Sequence, residues 1–514
     1  MTEPMYTTSD WTFELLDTAY KEIEKIGVGE MGLDIYKNQI EVITAEQMLD
    51  AYSSIGLPVM YRHWSFGKHF ARDEEAYKKG QRNLAFEIVI NSDPCINYIM
   101  EENTMTMQTL VMAHAAMGHN HFFKNNYLFK QWTKADFIID YLAFAKKFIS
   151  DCEEKYGFDE VETMLNYSHS IMNYGIDKSA RVRSKSNSKK EKDRNQARIK
   201  YELDNYNELW STIPNDPEPA GEEAKHLKEE KREALALNLP EENLIYFLQK
   251  HAPKLQDWQR EILRITRVLS QYFYPQRQTK VMNEGCATFV HYEIFNRLFD
   301  KGLVTHGAML EFAHMHSAVV GQQSFKSKHY SGFNPYALGF AMMQDIKRIC
   351  QNPTEEDRAW FPDFAGNPDY MSVLKDCWKN YRDESFILQF LSPKVIRDFK
   401  MFNLTTTQHD GTYTVKGIHD DSGYRAVRKS LATMYDISII SPDIQVTSAD
   451  LTGSRRLELT HFVRNGRLLR ENERNHVVRN IANLWGYRTR LKEIGEHGLI
   501  LSDIEMMPTG DLLG

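Results

Sequence analysis

No stretch of the 514 residues approaches the run of roughly 18 apolar residues that a membrane span requires. Cysteine is scarce: Cys95, Cys152, Cys286, Cys350 and Cys377 are scattered and form no CxxC. That pattern excludes a disulfide framework and points to a reducing, cytoplasmic setting. The first residues, Met1 to Asp17, mix acidic and apolar positions and show neither a basic nor an apolar leader region, so no secretory signal is expected. Excess positive charge is also missing. With 63 Lys+Arg against 71 Asp+Glu the net charge is −8, which argues against a dedicated nucleic-acid binder. There is no GxxxxGK[ST], no GxSxG and no GxGxxG between a strand and a helix, which removes three common catalytic designs. What is present is 42% hydrophobic and 12% aromatic residues, enough for a large core. The length allows about two to four domains.

Residues 1–177 read as mostly helical. Trp11, Leu15, Leu16, Ala19 and Ile23 fall at helical spacing, and Asn103 or Thr104 can cap a long helix through TMTMQTLVMAHAAMGH. Glu101 and Glu102, just before it, suit a helix N-terminus, and they are also candidate general bases. The short run EIVI (87–90) is either a buried strand or a turn of helix. Composition changes at 178. Residues 178–200 hold ten Lys+Arg against two Asp+Glu, and 201–235 hold four against ten. The span 178–240 therefore reads as a charged insertion, partly helical or disordered. Helical periodicity returns over 241–400, with helices expected near 258–273, 282–300, 307–320, 335–351 and 382–400. Residues 401–514 alternate in strand fashion between two amphipathic helices, which predicts a small α+β domain of order ββα–ββα–ββ. The fold class expected is mainly α, with this α+β domain at the C-terminus.

Histidine is concentrated. Of 18 in the chain, five lie between His63 and His121 and five between His291 and His329. The densest stretch is His114-Ala-Ala-Met-Gly-His119-Asn-His121. At about 100° per residue, His114 and His121 share one face of a regular helix. A helix distorted at Gly118 would instead bring His119 round to His114. Either pair can ligate a metal, and a hydrogen-bonded polar core is the alternative for all three. The zincin pattern HExxH differs in two respects. Its histidines are four apart, and it has a Glu where this chain has Ala115. The second segment, Asn283-Glu284-Gly285-Cys286-Ala287, offers a carboxylate ligand in Glu284, with His291 on the same helix face. Its NEGxA form resembles the third-ligand helix of gluzincin peptidases. That likeness implies a His114/His119/Glu284 site with an open fourth position, His121 nearby, and His291 as a further candidate for the base. His314 and His316 point to different faces, so at most one of them joins such a site. A Cys286–His291 nucleophile pair is disfavoured, because five residues on a regular helix separate them by about 140°.

Long stretches resemble the stage V sporulation protein R (SpoVR) family. They are WTFELLD (11–17), QIEVITAEQMLDAYSSIGLPVMYRHWSFGKHF (39–70), FEIVINSDPCINYIMEENTMTMQTLVMAHAAMGHNHFFKNNYLF (86–129), SQYFYPQRQTKVMNEGCATFVHY (270–292), YSGFNPYALGFAMMQDIKRICQ (330–351) and DESFILQFLSPKVIRDFK (383–400). Cys286 departs from the family, which usually carries Trp after NEG. The resemblance implies a role in spore-cortex peptidoglycan formation or in stationary-phase and stress responses. It also implies operation beside a PrkA-like serine kinase and a von Willebrand factor A-like protein. It brings no biochemical activity with it. Residue chemistry adds a gluzincin-like scaffold holding Zn²⁺ and hydrolysing an amide. The rivals are a non-enzymatic adaptor for the kinase and an iron-dependent redox enzyme.

Overall fold

The computed structural model describes residues 3–53, 87–178, 239–324, 332–406, 413–417, 420–464 and 466–509, with single positions between them. The charged insertion lies outside the described residues apart from its ends, as does most of YRHWSFGKHF. The described chain is mainly helical and divides into two compact units. One comprises residues 1–150 and 272–440, the other 151–271 and 441–514. The change from helical to strand periodicity at 401 does not coincide with the boundary between these units, because residues 401–440 fall in the first.

In the first unit, α1 (Phe13–Glu24) starts at Thr12, whose side chain accepts from the Leu15 N–H, and buries Leu16, Ala19 and Ile23. Three short strands come next: β1 (Asn38–Ile43), β2 (Glu87–Ile90) and β3 (Cys95–Met100). They form a sheet of order β1-β3-β2, with β1 parallel and β2 antiparallel to β3. The EIVI run is thus a strand. Its alternating exposure sets Ile88 and Ile90 into the core and leaves Glu87 on the opposite face. Thr104 caps α2 (Met105–Met112), which is buried almost all round. At Ala113 the helix widens into a π-helical segment, Ala113–His119, and then resumes.

Helix α3 (Lys280–Asp300) packs on this segment, and α4 (His306–Val319) and α5 (Pro335–Gln351) pack on α3. The approach is unusually close at two places. A Cβ on Gly118 would lie 2.4 Å from Ala287 Cα, and one on Gly285 would lie 2.6 Å from Gly339 Cα. Only glycine permits these separations. The N-terminus of α3 is covered by Asp383, the first residue of α6 (Asp383–Phe390), whose carboxylate accepts from Val281 N and Met282 N at 2.9 Å each. The helix expected over 382–400 is two, because Pro393 opens a second one at Pro393–Asp398. The unit ends with a hairpin of β4 (Asn403–Thr406) and β5 (Tyr413–Gly417), succeeded by α7 (Asp421–Tyr435).

The second unit carries β6 (Asp443–Ala449), β7 (Leu457–Phe462), α8 (Glu471–Trp485), β8 (Thr489–Ile494) and β9 (Ile500–Met506). The sheet order is β6-β7-β8-β9. Strands β7 and β8 are parallel and joined by α8, while the outer pairs are antiparallel. From β4 to β9 the order is ββα–ββα–ββ as expected, with one added turn of helix at Ile437–Ile440. No described helix is long and apolar enough to cross a membrane.

Candidate metal centre

The π-helical segment decides which histidines meet. Hydrogen bonding from i to i+5 makes residues five apart neighbours on one face. His114 and His119 accordingly stand edge to face, ring centroids 4.7 Å apart. The widened turn also rotates the helix beyond it, so His121 leaves the face that a regular helix would give it. It lies instead against Trp378, its Nδ1 3.0 Å from both the N–H and the carbonyl of Asp34. His121 is not part of the cluster.

Glu284 comes from the second turn of α3. Its Oε2 lies 3.5 Å from His119 Nε2 and 4.0 Å from His114 Nε2. Glu87, on β2, closes the group with Oε1 3.3 Å from His114 Nε2. Ligand atoms of Glu87, His114 and His119 all fall within 4.8 Å of one another. For a tetrahedral ion with bonds of about 2.1 Å, neighbouring ligand atoms sit about 3.4 Å apart. Separations of 3.3 and 3.5 Å match that edge, and 4.0 Å is slightly wide.

The electrostatics lean the same way. Burial, and then the neighbouring His119 and His291 rings, hold His114 well below the usual imidazole range. Burial, and then Glu284, push the Glu87 carboxyl well above the usual carboxylate range. Two carboxylates thus share a dry site in which His114 does not carry the balancing charge. Glu284 Oε2 is buried, and among the described residues it has no hydrogen-bond partner. A divalent cation would neutralise both carboxylates and take that lone pair, so the donor set fits a metal.

Each residue of the Asn-Glu-Gly triplet has a part in this geometry. Asn283 Oδ1 lies 3.0 Å from His119 Nδ1. An amide oxygen only accepts, so Nδ1 carries the proton and Nε2 presents its lone pair to the cluster. Glu284 provides the carboxylate, and Gly285 admits α5. That helix sets the Tyr336 ring parallel to His114, 6.3 Å away.

The remaining candidates lie elsewhere. Glu101 and Glu102 are exposed in the turn before Thr104, and Glu102 accepts from Ala45 N. Neither contacts the buried cluster among the described residues. His291 Nδ1 lies 2.8 Å from His114 Nδ1, behind the ligand ring rather than in front of it. His316 is buried beside His291, while His314 is exposed. The Cys286 thiol is buried, held by burial well above its usual range, and 3.8 Å from the Gly118 carbonyl. That environment is unsuited to a nucleophile. Sequence reasoning missed Glu87. The available signal was a carboxylate opening a short apolar strand in the block just before the His helix.

Residues 10–440 match the SpoVR like protein family, and residues 442–496 match the SpoVR-like C-terminal domain. The chain belongs to the SpoVR family. The seam between the two matches agrees with the unit boundary at Ser441. A relative in Escherichia coli (strain K12), described as uncharacterized protein YcgB, is 52% identical over 491 residues, covering 96% of this chain and 94% of the relative. No solved structure matches the chain.

Proposed function

We propose that this SpoVR family chain is a metal-dependent hydrolase of amide bonds, with His114, His119 and Glu284 holding a divalent cation and Glu87 serving as general acid and base. The observation that carries the reading is the convergence of Glu87, His114 and His119, whose ligand atoms lie within 4.8 Å of one another, with the buried Glu284 Oε2 3.5 Å from His119 Nε2 and without a hydrogen-bond partner among the described residues. A bound Zn²⁺ supplies Lewis acidity toward a carbonyl oxygen and eases deprotonation of water.

The chain's own groups do the rest. Asn283 holds His119 in the tautomer that faces the cluster. Glu87 takes the place of the absent Glu after His114. Its carboxyl, made less acidic by burial and by Glu284, is suited to accept a proton from the attacking water and pass it to the leaving amine. Glu87 reaches the cluster from a strand, so the general base can be separate from the His helix. The family's sporulation name makes peptidoglycan stem peptides a first substrate class to try.

The test is turnover of peptides and peptidoglycan fragments by zinc-loaded protein. Glu87→Gln should retain zinc and lose about 10²–10⁴ in rate. Unchanged hydrolysis in Glu87→Gln would remove it as the base. Stoichiometric iron in place of zinc would redirect the same His/Glu set to redox chemistry. A metal-free chain that binds the PrkA-like kinase would favour the adaptor.

A further inference from the structure

Behind His114 the structure lines up two more imidazoles. His114 Nδ1 is 2.8 Å from His291 Nδ1, and His291 Nε2 is 2.9 Å from His316 Nδ1. The rings are enclosed by aromatic carbon: Phe312 lies against His291 and His316, and Tyr292 and Phe340 against His316. A neutral imidazole offers one N–H and one lone pair.

That constraint leaves few arrangements. Each of the two contacts needs one proton and one lone pair, so neutral rings must all point the same way along the chain. Any mixed arrangement sets N–H against N–H, or lone pair against lone pair, inside 3 Å. When Nε2 of His114 ligates a metal, its proton must sit on Nδ1. It then donates to His291 Nδ1, His291 donates from Nε2 to His316 Nδ1, and His316 keeps its proton on Nε2. One ligation event thus fixes the tautomer of three residues, two of which never touch the metal.

We propose that His291 and His316 are positioning residues whose polarised hydrogen-bond chain holds His114 with its Nε2 lone pair toward Glu87 and Glu284, and so sets the affinity of the centre for its cation. This inference rests on the metal reading above and gives His291 a role other than that of a base. Reversing the chain moves one proton across each of the two contacts, takes one up at His114 Nε2 and releases one from His316 Nε2, so its net charge is unchanged. Outer partners of this kind are worth about 10- to 100-fold in metal affinity.

The experiment uses the full-length protein with Zn²⁺ as the probe. Affinity is measured by competition with a chelating dye, and histidine tautomers by ¹⁵N-histidine NMR. His291→Leu should weaken Zn²⁺ binding about 10- to 100-fold. His291→Gln, whose amide accepts at one atom and donates at the other, should restore most of that loss. In the zinc-loaded wild type, His291 should be the Nε2–H tautomer with an unprotonated, hydrogen-bonded Nδ1. This spectrum needs no variant, so it decides the matter even if His291→Leu fails to fold. Wild-type affinity in His291→Leu, no difference between the Leu and Gln variants, or the opposite tautomer at His291 would overturn the proposal. Failure of the wild type to bind Zn²⁺ at all is a distinct result that refutes the metal centre and this inference with it.

Discussion

Replacing Gly118 with alanine isolates the packing that brings the donors together. The added Cβ would lie 2.4 Å from Ala287 Cα and 2.9 Å from Ala287 Cβ. Carbon atoms in contact sit about 3.5–4.0 Å apart, so the π-helical segment and α3 must separate by more than about 1 Å. Overpacking of this kind costs about 1–3 kcal/mol. The same movement acts on the site, because His119 and Glu284 come from the two segments being pushed apart. Their 3.5 Å separation would open beyond about 4.5 Å, well past the tetrahedral edge of about 3.4 Å. Zn²⁺ affinity should therefore fall by at least about tenfold, equivalent to about 1.4 kcal/mol. The assay is chelator competition alongside thermal unfolding of the metal-free protein. Gly29→Ala is the control, since a Cβ there meets nothing within 4 Å, and it should change both readings little. Wild-type affinity and unfolding temperature in Gly118→Ala would refute the argument that helix proximity builds the site.

Three further outcomes are expected. Burial pushes Asp383 up to about 7, against the opposing backbone N–H groups of Val281 and Met282. The folded chain thus keeps a proton that the unfolded chain releases near 3.8, and the stability from this group is full below that pH and lost as pH rises toward 7. Asp383→Asn should flatten the fall in unfolding temperature between pH 5 and pH 8 in metal-free protein; an unchanged slope would contradict the assignment. Glu101→Gln and Glu102→Gln should leave Zn²⁺ affinity and any hydrolysis as in wild type, and a large loss in either would return them to the site. Cys286 should resist iodoacetamide in the native protein and react once it is unfolded, as read by peptide mass spectrometry; rapid native labelling would contradict its burial.

Helical periodicity and the alternation after residue 401 were enough to place most elements, including the ββα–ββα–ββ order. The cut between compact units was not legible, because periodicity changes where strands begin, whereas compactness depends on which segments pack together. At the site, the histidine cluster and Glu284 stood out by residue type. The choice between His119 and His121 depended on an extra residue in one helical turn. Gly118 marks that place, yet no regular periodicity encodes it. Glu87 and His114 adjoin only because β2 pairs with β3, whose chain leads directly into α2. The Gly285–Gly339 approach is a tertiary contact between distant segments, and one chain read alone carries no sign of it.

The central claim is that His114, His119 and Glu284 hold a metal ion. The most direct test is elemental mass spectrometry of protein purified without a metal-affinity column, for wild type and for His119→Ala combined with Glu284→Ala. The account predicts one zinc per chain in wild type and none in the double variant, with circular dichroism unchanged. Wild type that stays metal-free after reconstitution, or a double variant that retains stoichiometric zinc, would contradict it.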